Sequence, residues 1–215
     1  MKKKALSTRR LVVCAMLSAV SIVLGMTPLG IIPLPIANLT TMHIPAILGG
    51  ILEGPVVGLF VGLIFGLTSL YKAFTAPTSI LSPFLQNPLV SLLPRALIGV
   101  AAWGVYTLVR FLCMKVKRTG LVQTIGAALA AFFGTMVNTA GVLGMVFLLY
   151  APRYAAAAGI ETDMVGKAIW GIVLSNGLLE AAAAMIIVAA LERALRPLVS
   201  SMQKRERERT VTNKN

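Results

Sequence analysis

Histidine is almost missing from this chain: His43 is the only one in 215 residues. A metal pair of the His-x-x-x-His type is therefore excluded. Cysteine is scarce too, and Cys14 and Cys113, set within or at the ends of apolar runs, cannot define a disulfide framework. No phosphate-binding loop is present. Gly166-Lys167 is followed by Ala168, with no glycine at the required spacing, so ATP is not bound by that route. Uphill transport would have to draw on an ion gradient or on another subunit. No two-carboxylate or Lys/Asp relay is legible, which weakens the ion-driven case. No catalytic set can be assembled from what remains, so no enzyme, metal or cofactor is expected. A cleavage site is lacking as well. The basic start and the apolar run after it resemble a signal peptide, but Thr27-Pro28-Leu29-Gly30 follows without an Ala-x-Ala pattern, and the run reads as a retained span.

Apolar side chains are what the sequence has in excess. They make up 57% of the residues against 13% charged, and mean hydropathy is +0.86. No soluble domain buries that proportion, so the chain reads as a polytopic membrane protein. The net charge of +13 could suggest nucleic acid as a partner, but its placement argues against that. Sixteen basic residues fall on one predicted side: the N-terminus (Lys2, Lys3, Lys4, Arg9, Arg10), a central loop (Arg110, Lys115, Lys117, Arg118) and the C-terminus (Arg193, Arg196, Lys204, Arg205, Arg207, Arg209, Lys214). Only Lys72, Arg153 and Lys167 fall on the other, and Arg95 lies within a span. That bias predicts both termini in the cytoplasm.

Glycines at 50, 54, 58, 62 and 66 recur every fourth residue and predict a stripe nearly free of side chains, along which another helix backbone comes close. Gly54-Pro55 interrupts it, and proline suits the first turn of a new helix. The expectation is a short helix, a tight turn at Glu53-Gly54, then a glycine-striped helix. Six spans follow: 11–26, 41–52, 55–71, 88–113, 121–150 and 165–195. The second rises only about 18 Å at 1.5 Å per residue, short of the roughly 30 Å of hydrocarbon. It must be shielded by its neighbours. A Pro/Gly-rich apolar loop is expected over 27–37 and an outer loop over 72–87. Residues 1–200 form one all-α membrane domain and 201–215 a charged cytoplasmic tail.

Few polar groups are left inside the apolar runs. Arg95 lies about 10 Å below the outer end of the fourth span, counted at 1.5 Å per residue. A charge there faces a cavity or a partner. It pairs with Glu180 or snorkels outward, or else it is the counter-ion of an anionic ligand. Asn138 on the fifth span and Asn176 with Glu180 on the sixth serve as glue between helices or as ligand contacts; Asn176 and Glu180, four apart, share a face. Asn38, Thr40, Thr41 and His43 make a polar outer mouth, with His43 read as an interfacial histidine, and Gln86-Asn87 lies in the outer loop. Glu53, in the turn, favours the N-terminus of the third span electrostatically.

In this order several strings resemble one family: Thr41-Met42-His43-Ile44-Pro45, Gly54-Pro55-Val56-Val57-Gly58, Phe65-Gly66-Leu67-Thr68-Ser69, Asn87-Pro88 through Pro94-Arg95, Asn138-Thr139, and Asn176-Gly177-Leu178-Leu179-Glu180. With six helices, a short second helix and a polar outer mouth, the chain resembles the S component of energy-coupling factor (ECF) transporters. The resemblance implies a vitamin-binding subunit of the bacterial cell membrane that works with a transmembrane T component and two ATPase subunits. The polar groups read above as candidate ligand contacts are Asn38, His43, Asn87, Arg95, Asn138, Asn176 and Glu180. The family's Ala-x-x-x-Ala docking pattern is matched by Ala15 and Ala19. His-Ile-Pro and Pro-Arg look most like pantothenate-type subunits, with folate or riboflavin as alternatives. A non-transporting scaffold similar to the rod-shape-determining membrane proteins is the competing class, and it would need no polar cluster.

Overall fold

The computed structural model describes residues 8–33, 38–77, 79–113 and 119–212. The basic residues Lys2, Lys3, Lys4, Lys115, Lys117, Arg118 and Lys214 lie outside them. The order is α1 (Thr8–Met26), β1 (Ile31–Pro33), β2 (Asn38–Thr40), α2 (Ile44–Glu53), α3 (Pro55–Thr75), α4 (Pro88–Leu112), α5 (Thr119–Ala158), α6 (Val165–Ile172), a π-helical turn (Val173–Gly177) and α7 (Leu178–Thr212). Five helical stretches are long and apolar enough to cross a membrane, and Ile44–Glu53 is a shorter apolar helix. That helix is buried along nearly its whole length, as a ten-residue apolar helix must be when it is too short to span. The bundle is all-α. The loop expected over 27–37 departs from this, because β1 and β2 pair antiparallel, Ile31 opposite Thr40 and Pro33 opposite Asn38.

The turn between α2 and α3 falls where glycine and proline placed it. Gly54 has φ 101°, a left-handed conformation that costs glycine least, and Pro55 opens α3. Gly54 is therefore a hinge residue and not part of the stripe. Gly50, Gly58, Gly62 and Gly66 do form one, and what it faces is α4. A Cβ on Gly50 would stand 2.2 Å from the Gly99 carbonyl oxygen, one on Gly99 2.4 Å from Gly58 Cα, and one on Gly62 2.2 Å from the Arg95 carbonyl oxygen. Three backbones thus meet at Gly50, Gly58 and Gly99. Gly99→Val should lower the melting temperature of the detergent-purified protein, since overpacking so tight a crossing costs at least the usual ~1–3 kcal/mol. A melting curve unchanged by Gly99→Val would show that the crossing yields freely.

Two apolar cores lie along the bundle. One is centred on α2 and includes Ile47, Val61, Ile98, Ala131, Ala184 and Val188; the other includes Phe84, Val90, Val142, Val146, Val165 and Val173. Helix α5 runs on past the expected end at 150. It breaks at Tyr150 (φ −138°, ψ 18°), two residues before Pro152, and resumes through Ala158. The sixth span is also divided, into α6, the π turn and α7, and α7 carries the charged tail on to Thr212.

The end of the bundle beyond the first core is fastened by two carboxylates. Glu53, with its side chain 0% exposed, pairs with Arg9 of α1, so it ties two helices together rather than acting on one helix terminus alone. Glu192 pairs with Arg196 and accepts from Tyr106 Oη at 3.2 Å. Arg196 also donates to the Gly120 carbonyl at 3.3 Å. These links join α1 to the α2–α3 turn, and α4 and α5 to α7.

Candidate functional site

Between the two apolar cores the same helices turn polar. On α5, Ala127, Ala130 and Ala131 belong to one core and Val142, Leu143 and Val146 to the other. Thr135, Asn138 and Thr139 lie between them. At spacings of three and four residues they share one helix face. On α4 the polar interval is Ser91 and Arg95, between Val90 and Ile98; on α7 it is Glu180, before Ala184 and Val188. Arg95, Asn138 and Glu180 are all buried. Buried polar groups cost free energy unless paired, so a layer of them needs a reason.

The proline beside Arg95 explains part of its setting. Pro94 has no N–H and sits inside α4, which leaves the carbonyl of Val90, four residues back, without its helical donor. Arg95 Nη1 reaches into this gap, 2.8 Å from the Ser91 carbonyl, 3.3 Å from Ser91 Oγ and 3.5 Å from the Val90 carbonyl. Its guanidinium carbon lies 5.1 Å from the centroid of the Phe65 ring, a cation–π distance. Nε has no hydrogen-bond partner. The Arg95–Glu180 pair weighed from sequence does not form. Glu180 instead accepts from Thr40 through its backbone N–H at 3.0 Å and its hydroxyl, and from Thr139 Oγ1 at 3.3 Å. Arg95 is thus a buried cation with no carboxylate at ion-pair distance among the described residues.

His43 is not interfacial. It is 0% exposed, and its Nε2 lies 3.0 Å from Thr135 Oγ1. The reason is its position at the start of α2, a helix held inside the bundle. Its Nδ1 and the Oδ1 of Asn138 are buried without partners. Gly141 lies against Pro94, where an added Cβ would come within 2.9 Å of the proline's Cβ, and Gly177 lies against Met136 and Thr139. α4, α5 and the π turn therefore converge on this layer. Thr135 and Thr139 hold His43 and Glu180 on either side of Asn138 along α5, and the Pro94–Gly141 contact sets the α4 turn that carries Arg95 beside the same helix.

The remaining candidates stand apart or at its edge. Asn87 caps α4, its side chain accepting from Leu89 N at 2.9 Å and donating to Tyr150 Oη at 2.8 Å. Those bonds give it a structural task eight residues from Arg95. Asn176 is half-buried within the π turn, a deformation that often marks functional sites. The backbone of Asn38 pairs in the β ribbon, and its side chain lies outside the described residues. Thr40, Thr135 and Thr139 were missed as site residues. The signal for two of them was present: Thr135, Asn138 and Thr139 form one polar face in an apolar run. Among the described residues no three His, Cys, Asp or Glu side chains gather as metal ligands would.

Ala15 and Ala19 are exposed on α1. The opposite side of that helix, with Cys14, Leu17 and Leu24, packs on the first core.

The family model for the ECF transporter substrate-specific component matches residues 9–192. The chain is 31% identical to the pantothenic acid transporter PanT of Lactococcus lactis subsp. cremoris, over 69% of this chain and 79% of that one. It is 28% identical to the pantothenate transporter PanT of Leuconostoc mesenteroides subsp. mesenteroides, over 81% and 83%. In fold it is similar to the solved S component of a bacterial ECF transporter, with TM-score 0.57, 21% identity, and coverage of 90% of this chain and 99% of that one.

Proposed function

The chain belongs to the ECF transporter substrate-specific components, and from that membership we propose that it captures pantothenate for import by a transmembrane T component and two ATPase subunits. The observation that carries the reading is the polar layer between the two apolar cores. It offers a buried cation, Arg95, that has no carboxylate at ion-pair distance among the described residues, and acceptors on the neighbouring helices. A small carboxylate with hydroxyl and amide groups supplies what each of them lacks. A scaffold would have no use for such a layer, since every unpaired group in it costs stability. Folate, also an anion, would satisfy Arg95, but the relatives at 31% and 28% identity are named for pantothenate.

The topology belongs to the same proposal. Six membrane-embedded helices, the short α2 included, place both termini on the cytoplasmic side of a bacterial inner membrane. The end fastened by Glu53 and Glu192 then faces the cytoplasm, with Arg9, Arg110, Arg193 and Arg196 near it, as the positive-inside bias requires. Residues 1–200 act as the membrane domain, 201–215 as a cytoplasmic extension. The exposed face of Ala15 and Ala19 meets the T component.

Mass spectrometry of the protein purified in detergent should identify pantothenate as the bound small molecule, and calorimetry should show saturable binding. Proteoliposomes of this chain alone, given ATP and pantothenate, should show no concentrative uptake, because the chain has no phosphate-binding loop. Sustained accumulation there would remove the subunit reading, and a different co-purified vitamin would replace the substrate.

A further inference from the structure

The hydrogen-bond network around His43 favours one tautomer. Thr135 Oγ1 donates to the Ala131 carbonyl at 2.8 Å and lies 3.0 Å from His43 Nε2. A hydroxyl has one hydrogen to give. With that hydrogen on Ala131, Thr135 can only accept from His43, so the proton sits on Nε2. A neutral imidazole then presents Nδ1 as a lone-pair acceptor. That nitrogen is buried without a partner. The imidazolium form would turn it into a second donor, again unpartnered, in a ring that is 0% exposed and forms no ion pair among the described residues.

We infer that His43 Nδ1 is a specificity-determining acceptor of the pantothenate site, taking a hydrogen bond from an O–H or N–H group of the ligand. The inference rests on the pantothenate reading and deepens it. Arg95 alone selects for negative charge and would accept many small carboxylates. An acceptor in the same buried layer adds a second demand. The ligand must bring a donor, as the two hydroxyls and the amide of pantothenate do. Asn138 Oδ1, on the α5 residue one turn beyond Thr135, is a second buried acceptor without a partner and makes the same demand. An anion lacking donors would leave both unpaired. Sites built to pair a ligand's polar hydrogens reject analogues without them more strongly than apolar pockets reject a changed shape.

The chain contains a single histidine, so protein labelled with 15N-histidine and purified without a histidine tag gives the imidazole signals of His43 alone. Before ligand is added, Nδ1 should resonate as a pyridine-type nitrogen and Nε2 as a pyrrole-type one. Saturating pantothenate should move Nδ1 toward the pyrrole-type position and leave Nε2 in place. Analogues in which one hydroxyl is replaced by hydrogen, or the amide is N-methylated, are then tested in turn. One of them should bind about ten- to a hundredfold more weakly and lose the Nδ1 displacement. A protonated Nδ1 at the outset overturns the tautomer and the proposal with it. An unmoved Nδ1 resonance under saturating pantothenate overturns the acceptor role while leaving the substrate intact. Full affinity for all the analogues does the same. Absence of binding heat with pantothenate overturns the substrate reading and this one together, and is recognised by the calorimetry rather than the spectrum.

Discussion

Arg95→Ala should weaken pantothenate binding by about 2–5 kcal/mol, a loss of roughly thirtyfold to several thousandfold. The guanidinium stays charged in any protein and offers a planar fork suited to a carboxylate. Here Nη1 is engaged by Ser91 and Val90 carbonyls, leaving Nε without a partner. Arg95→Lys should recover only part of the loss, because a point charge replaces the fork. Stability without ligand should behave differently. A carboxylate that lost its cation would leave Arg95→Ala unstable and make Glu180→Ala its rescue. Glu180 is instead held by Thr40 and Thr139, so the melting temperature of Arg95→Ala without ligand should stay close to wild type, and Glu180→Ala should not raise it. Calorimetry and thermal melting with and without pantothenate read both effects. Wild-type affinity in a stable Arg95→Ala protein would end the counter-ion proposal.

Ala15→Trp or Ala19→Trp should abolish uptake in cells that carry the complete transporter, while the purified variant binds pantothenate with nearly wild-type affinity. The two alanines lie one turn apart and exposed on α1, where small side chains let a partner helix approach closely. An indole there holds the partner away without disturbing the face that carries Leu17 and Leu24. Uptake assays with co-purification of the T component, set beside calorimetry of the isolated subunit, separate the two readouts. If the tryptophan variants lost ligand binding yet kept the complex, docking would have to lie elsewhere on the chain.

Features encoded by neighbouring residues were legible in the sequence. Long apolar runs announced the spans, and Glu53-Gly54-Pro55 announced the α2–α3 turn, because glycine and proline restrict the backbone where they stand. Arg95 was marked as a buried cation by its depth within an apolar run. Pairings between distant helices were not legible. Thr40 finds Glu180 at a separation of 140 residues, Tyr106 finds Glu192 at 86, and Arg9 finds Glu53 at 44. Each depends on how a helix is rotated and how far it slides, and no local pattern specifies that. Gly99 shows the limit well. The stripe on α3 was visible, but Gly99, one of two glycines on α4, gave no sign that Gly50 and Gly58 would close on it. The π turn before Glu180 was equally hidden, since its residues read as ordinary helix. His43 was taken for an interfacial residue because a polar string precedes it, and only the burial of α2 reversed that reading.

Helix α1 is held at both ends, and in between one side packs on the first core through Cys14 and Leu17 while the other is bare. Arg9 fastens it to Glu53 at one end. At the other, Ser21 donates to the Met42 carbonyl at 3.4 Å, and Gly25 lies so close to Thr68 that a Cβ would meet its methyl group at 2.5 Å. A rod pinned at two points has little bending or sliding freedom left to lose. Whatever packs against the middle stretch, between Leu11 and Val20, meets a surface that is already still. The ordering entropy that association normally exacts from a mobile helix has therefore been met during folding. Cutting the Arg9 anchor would restore that freedom, and its effect would be felt by the partner rather than by the ligand.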